Sequence, residues 1–318
     1  MSPEPLRVVF LGNDAWSVPP LEALASSRHE LALVATRVPR PGRRGGADVP
    51  TPVAAAARSL GLPLAEVETV RRGEGLERVS IADARALVVV AYGEILPRSV
   101  LDLASLAAVN VHFSLLPKLR GASPVRTALL QGLDETGVTT IAMDEGLDTG
   151  DILIRATEPI RDDDDAGSLG DRLARLGGRL LVETLDRLAD GSIVRTPQDG
   201  SIATYAPKLG ADDRRIDWSA PADRVRDRVR AFAPTPGATS SFRGSAVKVL
   251  HAERADRTED TGAQGEPGEI IAVDRSGPVV SAGDGAVRLE SLAPAGRRPM
   301  DGAAFVNGFR PRVGERFG

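Results

Sequence analysis

The chain has 318 residues, of which 42% are apolar and 26% are charged, as is typical of a globular protein of one or two domains. It contains no cysteine, which excludes disulfides, thiol nucleophiles and zinc sites built on cysteine. A net charge of -4 argues against a uniformly basic nucleic-acid coat, although it allows a local basic surface.

The sequence contains neither a membrane-span pattern nor a secretory-signal pattern. No apolar run approaches the ~20 residues of a membrane span. The opening MSPEPLRVVFLG leads from a short polar stretch directly into a strand pattern, without the features of a secretory signal. We therefore expect a cytoplasmic protein.

The first 190 residues alternate short β-branched runs with longer helical patterns, which predicts a Rossmann-like α/β domain with a parallel sheet covered by helices. The predicted strands are LRVVFLG (6–12), HELALVAT (29–36), ALVVVAY (86–92), AAVNVHF (107–113) and VTTIAMDE (138–145). The predicted helices are 19–27, 51–61, 123–132 and 168–191. The last of these begins with Ser168 and Asp171 in capping-box spacing and ends at a glycine.

The remaining sequence predicts a second domain that is built mainly of short strands. Residues 192–221 have no hydrophobic period and are predicted to be a surface linker after a first domain, 1–191. A helix over 222–232 then precedes short strand patterns separated by glycine-bearing turns, namely AVKVLHAE, GEIIAV, GPVVSAG and AVRLESL. This spacing predicts a small antiparallel, OB-like β-barrel within 222–318.

Several familiar site types are excluded by the motifs that are missing. Gly12 follows the first strand, but the later glycines of G-x-G-x-x-G are absent, and no G-x-x-x-x-G-K-[ST] loop occurs. The three histidines, His29, His112 and His251, are not paired at metal-ligand spacing. The acidic run RDDDDAG (161–167) is interpreted as a solvated loop before a helix. We expect neither a dinucleotide nor a metal ion.

Polar side chains occur where the fourth and fifth predicted strands end. Asn110 and His112 are two residues apart, so they lie on one face of the strand that SLLP terminates. The next strand leads into MDEGLDTGD (143–151), where glycines on both sides of Asp148 favour a tight loop. Because ligands of open α/β sheets bind at the carboxyl ends of the strands, we expect Asp148 to reach His112 there.

An Asn, a His and an Asp without a nucleophilic Ser or Cys suit direct acyl transfer. Asn110 would donate to a developing oxyanion, an interaction worth roughly 3 kcal/mol. His112 would either polarise the same carbonyl as an imidazolium or relay a proton, while Asp148 would orient the ring and accept a proton from an attacking amine. Read singly, His112 could be a satisfied core histidine and Asp148 a turn former.

NVHFSLLPKLRGASP (110–124), followed by MDEGLDTGD, resembles the formyltransferase family that uses 10-formyltetrahydrofolate, with its patterns Asn-x-His-x-Ser-Leu-Leu-Pro and Gly-Leu-Asp-Thr-Gly. The run VVVAYGEILP (88–97) is similar to the family's strand and turn that surround the pterin. The resemblance implies that 10-formyltetrahydrofolate is the co-substrate. It implies a catalytic trio of Asn110, His112 and Asp148, and a folate border formed by Ser114, Leu115, Leu116 and Pro117.

The resemblance continues through the second half of the chain. ATYAPKL (203–209), RIDW (215–218) and residues 282–308 are similar to the connection and barrel of family members that formylate methionyl initiator tRNA. The resemblance therefore implies that the acceptor is the α-amine of that tRNA, that 222–318 binds tRNA, and that the protein is a monomer. The amine would attack the formyl carbon, and N10 of the folate would leave with a proton.

The loop RVPRPGRRGGADVP (37–50) resembles a basic loop with which these family members engage the acceptor stem of the tRNA. Arg44 aligns best with the family's contact residue, and Arg40 and Arg43 are rivals. The chain departs from the pattern in having Gly46, Ala47 and Asp48 where lysines are common.

Basic side chains of the second half could also follow a phosphate backbone. Arg224 and Arg228 are at i, i+4 in the predicted helix. The alternative is a solvated helix face on which these arginines pair with Asp223 and Asp227.

Three other functions compete with transfer to the initiator tRNA. The nearest is formylation of a nucleotide-linked amino sugar by the same trio, since related enzymes formylate sugar amines or a purine precursor. A tRNA-binding protein without catalysis and a nucleotide-dependent oxidoreductase are more distant alternatives.

Overall fold

A computed structural model describes residues 4–41, 47–255 and 265–318. The chain divides into two compact units, one formed by Met1–Pro124, Glu135–Pro159 and Gly170–Pro207, the other by Val125–Asp134, Ile160–Leu169 and Lys208–Gly318. The functional division predicted from the sequence, 1–191, 192–221 and 222–318, stays a prediction. Among the described residues, no helix combines the length and the apolar character that a membrane-spanning segment needs.

The first unit is built on a seven-stranded sheet in the order β3-β2-β1-β4-β5-β6-β7. The strands are β1 Arg7–Gly12, β2 Glu30–Arg37, β3 Leu64–Val67, β4 Ala86–Val90, β5 Ala107–His112, β6 Glu135–Ala142 and β7 Ile152–Pro159. Its helices are α1 Val18–Ala25, α2 Pro52–Ser59, α3 Gly73–Ile81, α4 Arg98–Leu101 and most of α6 Ala166–Ala189, whereas α5 Pro124–Gln131 belongs almost wholly to the residues of the second unit. The α/β class, the five predicted strands and the four predicted helices are confirmed. The short β3, α3 and α4 and the half-exposed β7 were not predicted.

The direction of β6 differs from the all-parallel sheet that the sequence predicted. Strands β1 to β5 pair in parallel, whereas β6 is antiparallel to both β5 and β7. His112 lies opposite Thr139 and Val109 lies opposite Ala142, so β6 begins beside the end of β5 and runs back toward its start. The loop 143–151 must therefore fold back along β5 to approach His112.

The start of α6 corrects the predicted capping box. The amide of Ser168 donates to the Asp165 carboxylate at 2.8 Å, and the amide of Asp165 donates to the Ser168 hydroxyl at 3.1 Å. The reciprocal pair is thus Asp165 with Ser168, and the Ser168–Asp171 box is wrong. Asp171 instead accepts the indole N–H of Trp16 at 3.2 Å.

The acidic run before α6 is part of the same turn. The Asp164 side chain accepts the amide of Arg161 and the hydroxyl of Ser168, both at 2.8 Å. Within the described residues, no group of three or more His, Asp or Glu side chains is arranged to hold a metal ion.

The second unit contains a six-stranded antiparallel sheet in the order β10-β11-β12-β9-β8, with β13 paired to β12. Its elements are α7 Ala222–Phe232, β8 Ala238–Phe242, β9 Ser245–Ala255, β10 Ile270–Val273, β11 Pro278–Ser281, β12 Ala286–Pro294, β13 Met300–Asp301 and α8 Gly302–Phe309. Bridges from Phe317 to Phe242 and from Arg316 to Glu269 join the two edge strands through the C-terminal segment. The predicted small β-barrel is confirmed.

Aromatic side chains fill the point where this barrel closes. Phe317 is 2% exposed and stacks on Phe242 with ring centroids 4.9 Å apart. The ring centroids of Phe305 and Trp218 lie 6.2 Å and 6.0 Å from that of Phe317. Since Phe317 contributes both a backbone bridge and a buried ring, it stabilises the closure of the barrel.

We expect Phe317→Ala to lower the free energy of unfolding of the second unit by about 3–5 kcal/mol, because it leaves a cavity among buried rings. The chain has two tryptophans, so in a Trp16→Phe background Trp218 fluorescence during urea denaturation reports this unit. Val313→Ala is the control, since Val313 is 62% exposed. A loss below about 1 kcal/mol for Phe317→Ala would contradict the assigned role.

Tyr92 follows β4 and lies in the core of the first unit, where it is 2% exposed. Burial, with the nearby charge of Glu94 as a second cause, raises the pKa of the Tyr92 hydroxyl to about 12. Burial disfavours the phenolate because the apolar surroundings solvate a charge poorly.

This pKa predicts that the protein loses stability in alkali. Above the ordinary tyrosine pKa of about 10, the unfolded chain has released the Tyr92 proton and the folded chain still holds it. The free energy of unfolding should then fall by up to roughly 2–3 kcal/mol as pH rises toward 12. Urea denaturation across this range should show that Tyr92→Phe removes the decline, while Tyr205→Phe, which changes a 63% exposed side chain, keeps it. An unchanged decline in Tyr92→Phe would disprove the assignment.

Candidate functional site

Three polar side chains from β5 and from the loop after β6 come together in the first unit. The amide nitrogen of Asn110 donates to Oδ1 of Asp148 at 3.3 Å. Nδ1 of His112 lies 3.6 Å from Oδ2 of the same carboxylate. The structure therefore brings together the three residues that the sequence singled out, with Asp148 touching both others.

The alternation of β5 explains why Asn110 and His112 face the same carboxylate. Side chains two residues apart in a strand project from one face of the sheet. His112 is 6% exposed, whereas Asn110 is half-buried and nearer to solvent. The imidazole is accordingly shielded from water, and Asn110 and Asp148 form the more accessible part of the site.

The hydrogen bonds of His112 determine where its protons lie. Nε2 is 2.9 Å from the carbonyl oxygen of Leu119. A carbonyl only accepts, so Nε2 must carry a proton, and the remaining nitrogen, Nδ1, faces Asp148. If Nδ1 were unprotonated, its lone pair would oppose the carboxylate. The contact is therefore favourable when a proton lies between the two groups.

Asp148 is held by backbone groups as well as by side chains. Its φ of 55° is in the left-handed region, where Asp is tolerated better than most residues. The amide of Gly121 donates to Oδ2 at 2.8 Å, which helps to fix the orientation of the carboxylate. Gly121 itself needs its φ of 115°, and a Cβ there would lie 2.6 Å from the carbonyl oxygen of Ala206.

The rest of the 143–151 loop is fixed by its own turn. The Asp144 carboxylate accepts the amide of Gly146 at 3.0 Å and the hydroxyl of Thr149 at 2.8 Å. A Cβ on Gly150 would lie 1.8 Å from the carbonyl oxygen of Ala142, so only glycine fits where the loop rejoins the sheet. The glycines around Asp148 thus form the tight loop that the sequence predicted.

The SLLP turn is engaged in internal contacts. The Ser114 hydroxyl donates to the carbonyl of Lys118 at 2.6 Å, and the Ser114 carbonyl accepts from Thr139 at 2.7 Å. Arg155 donates to the carbonyl of Leu116 at 3.0 Å. Ser114, Leu116 and Pro117 are buried, and Leu115 is partly exposed. A ligand beside this turn would meet its backbone and Leu115 rather than the Ser114 hydroxyl.

The ends of β1, β2 and β4 are joined by Asn13. Its side-chain oxygen accepts the amide of Arg37 and the hydroxyl of Thr36, both at 2.9 Å, and its NH₂ donates to the carbonyl of Tyr92. Two large apolar side chains are exposed in the loops after β4 and β6, Ile95 at 64% and Leu147 at 50%. Each of these two loops therefore presents one exposed apolar side chain.

The predicted tRNA-contact loop is described in part. Arg43 and Arg44 lie outside the described residues. Arg40 is exposed, and its backbone pairs with Val49 through bonds of 3.1 and 2.9 Å that close the base of the loop. At the start of the loop, Arg37 forms an ion pair of 2.9 Å with Glu94.

The arginines of α7 have partners inside the second unit. Arg228 donates to the carbonyls of Asp213 and Arg215 at 2.7 and 3.0 Å. Arg224 lies 3.7 Å from Asp227, whose pKa burial raises although neighbouring guanidinium groups oppose the change. Of the pairings expected between these arginines and Asp223 or Asp227, the structure shows Arg224 with Asp227. Asp223 instead pairs with Arg254 at 2.6 Å.

Sequence reasoning missed the residues that brace the Asp148 loop. Gln198 donates its amide to the carbonyls of Asp148 and Gly150 at 2.8 and 2.7 Å. Arg120, in turn, donates to the Gln198 oxygen. Arg120 stands in the quoted motif, but Gln198 lies in the aperiodic stretch 192–221, where no local pattern marks it.

Comparison with protein families gives matches to both halves of the chain. The model described as "Formyl transferase" matches residues 6–185, and the one described as "Formyl transferase, C-terminal domain" matches residues 208–310.

Similar curated proteins extend over nearly the whole length. A methionyl-tRNA formyltransferase of Heliobacterium modesticaldum is 43% identical over 98% of this chain and 100% of its own. A methionyl-tRNA formyltransferase of Bradyrhizobium sp. is also 43% identical, over 99% of this chain and 100% of its own.

Solved structures share the fold at low sequence identity. HypX from Aquifex aeolicus in complex with tetrahydrofolic acid superposes with a TM-score of 0.66 at 20% identity over 98% of this chain, which spans 49% of the length of HypX. The N-formyltransferase from Helicobacter canadensis superposes with a TM-score of 0.63 at 17% identity over 89% of this chain and 99% of its own. These likenesses concern the fold, whereas the two family models and the full-length relatives show that the chain belongs to the methionyl-tRNA formyltransferase family.

Proposed function

We propose that the chain transfers the formyl group of 10-formyltetrahydrofolate to the α-amino group of methionyl initiator tRNA. The observation that carries this proposal is the meeting of Asn110, His112 and Asp148 in a chain that matches its tRNA-formylating relatives from end to end. The chemistry is direct acyl transfer, because the three side chains offer a donor, a proton relay and a base, but no nucleophile.

Asn110 and Asp148 act on the two reacting partners. Asn110 has two amide hydrogens, of which one bonds Asp148 and the other can meet the oxygen of the formyl group as it becomes an oxyanion. Asp148 accepts the proton that the attacking amine loses, directly or through water. A C–N bond forms to the methionyl nitrogen, and the bond from the formyl carbon to N10 of the folate breaks.

His112 relays the proton between Asp148 and the leaving folate. Its Nε2 is committed to the Leu119 carbonyl, so polarising the formyl group would require that bond to break. The geometry supports the relay instead, because Nδ1 faces the carboxylate that receives the amine proton. The proton taken from the amine is returned to N10, and the site ends as it began.

The folate is proposed to bind beside the trio. Exposed Ile95 and Leu147 offer apolar contact to the pterin, and the SLLP turn, Ser114 to Pro117, borders the co-substrate with backbone groups and Leu115. When bound, 10-formyltetrahydrofolate supplies an activated formyl group, so the protein need only orient the acyl carbon and manage protons.

The proposal assigns tRNA recognition to both ends of the chain. Arg44 contacts the acceptor stem, and residues 222–318, after the 192–221 linker, hold the body of the tRNA with exposed arginines. The support is the similarity of the chain to relatives named methionyl-tRNA formyltransferase over its full length. A monomer in the cytoplasm, where translation begins, completes the proposal.

Replacing Asp148 with Asn should lower kcat by about 10²–10⁴-fold, because the amide cannot accept a proton, with little change in either KM. His112→Ala should have a comparable effect. Formylation of methionyl initiator tRNA by purified protein is the measurement, and the thermal midpoint reports folding. Glu183→Gln is the matched carboxylate-to-amide control, because Glu183 is exposed on α6 and pairs with Arg187. Turnover like the wild type in Asp148→Asn or His112→Ala would refute the roles.

Arg44→Ala should raise KM for tRNA and reduce the slope of log K against log salt by about one, because one phosphate contact is lost. Arg40→Ala and Arg43→Ala test the rivals. Arg187→Ala is the control, since Arg187 is exposed on α6 and pairs with Glu183. Binding of the tRNA at several salt concentrations is the measurement, and an unchanged slope in Arg44→Ala would exclude this contact.

The acceptor is tested by offering a nucleotide-linked amino sugar beside methionyl initiator tRNA, each with 10-formyltetrahydrofolate. We expect product from the tRNA and none from the sugar. Formylation of the sugar alone would overturn the proposed acceptor, and tRNA binding without formylation of either would overturn the proposed enzyme.

A further inference from the structure

One side chain ties the Asp148 loop to the stretch of chain that follows α6. Gln198 is half-buried, and its NH₂ group donates to two carbonyls of the loop, those of Asp148 at 2.8 Å and Gly150 at 2.7 Å. One side-chain amide thus bonds the backbone of both Asp148 and Gly150, the glycine just before β7.

The other end of Gln198 is held by a buried cation. Oε1 accepts from Nε of Arg120 at 3.1 Å and from Nη2 at 2.7 Å. Arg120 is 6% exposed. A bifurcated contact to a guanidinium fixes the plane of the amide, so the direction in which its NH₂ points is fixed as well.

The backbone of Arg120 belongs to the segment that contacts both His112 and Asp148. Leu119, one residue earlier, supplies the carbonyl for His112, and Gly121, one residue later, supplies the amide for Asp148. The stretch after Gln198 pairs with this segment, since Arg120 donates to the Thr204 carbonyl at 2.9 Å and accepts from Ala206 at 2.7 Å.

We propose that Gln198 is a positioning residue that, with Arg120, fixes the Asp148 carboxylate between Asn110 and His112. The inference rests on the proposed catalytic role of Asp148. Gln198 acts through backbone carbonyls, so it sets where the carboxylate stands without touching a substrate. Its amide is suited to the task because it donates to two carbonyls and accepts from a cation at once.

Gln198→Ala should lower kcat by about 10- to 100-fold, as expected when a catalytic group shifts by up to ~1 Å. KM for both substrates should stay within about twofold, because the contacts that bind them are kept. Formylation is measured with each substrate varied in turn, and the thermal midpoint is recorded for every variant. A kcat within about twofold of the wild type would overturn the inference.

Gln198→Glu separates the two halves of the contact. The glutamate keeps its acceptor for Arg120, but it turns a carboxylate oxygen toward the carbonyls of Asp148 and Gly150, so the donated bonds are lost. The fall in kcat should match that of Gln198→Ala. Full activity in Gln198→Glu would show that donation to the loop is not needed, and it would overturn the inference even if Gln198→Ala did not fold.

Thr196→Ala is the matched control from the same stretch of chain. Thr196 is exposed and pairs with Ile152 through backbone bonds of 2.8 and 2.9 Å, which the substitution keeps. Its kcat should equal that of the wild type. A loss as large as that of Gln198→Ala would show that any change in this stretch impairs the enzyme, and would remove the specific role of Gln198.

A double variant distinguishes positioning from general stabilisation. In an Asp148→Asn background, single-turnover rates with excess enzyme should show little further loss from Gln198→Ala, because the group that it positions is already gone. Equal fractional losses in both backgrounds would overturn the inference and leave the proposed function intact. Wild-type turnover in Asp148→Asn would overturn the catalytic assignment itself, and the inference with it.

Discussion

The contact between the Asp148 carboxylate and Nδ1 of His112 is the constraint around which the first unit is arranged. The 3.6 Å separation is meaningful because each partner is held on its other side, His112 by the Leu119 carbonyl and Asp148 by the Gly121 amide. Both of these backbone groups come from the segment that follows β5. One short stretch of chain therefore fixes both the imidazole of His112 and the carboxylate of Asp148.

Burial gives this contact its chemical value. His112 is 6% exposed, so its contact with Asp148 is shielded from bulk water, which strengthens the interaction between the two groups. Asn110, at the more open end of the group, is free to face a ligand. Two residues of one strand thus differ in exposure, His112 being buried and Asn110 partly accessible.

Much of this arrangement could be predicted from local patterns. The spacing of Asn110 and His112 predicted a shared face because a strand has a period of two, and flanking glycines predicted the tight loop at Asp148. The direction of β6 was beyond that reasoning, because a period of two reads the same along either direction. The cap of α6 was placed one turn late, since Ser168 stands three residues from both Asp165 and Asp171. Gln198 could not be found from the sequence, because it lies in an aperiodic stretch and its partner Asp148 is 50 residues away.

The antiparallel β6 has a consequence for how the family can vary. The 143–151 loop is closed at one end by β6 and at the other by β7, which pair with each other. Adding or deleting one residue would displace Asp148 by about the 3.3 Å rise of a strand, more than the contact with His112 tolerates. We therefore expect members of the family to differ in this loop by substitutions away from Gly146, Asp148 and Gly150 rather than by insertions or deletions.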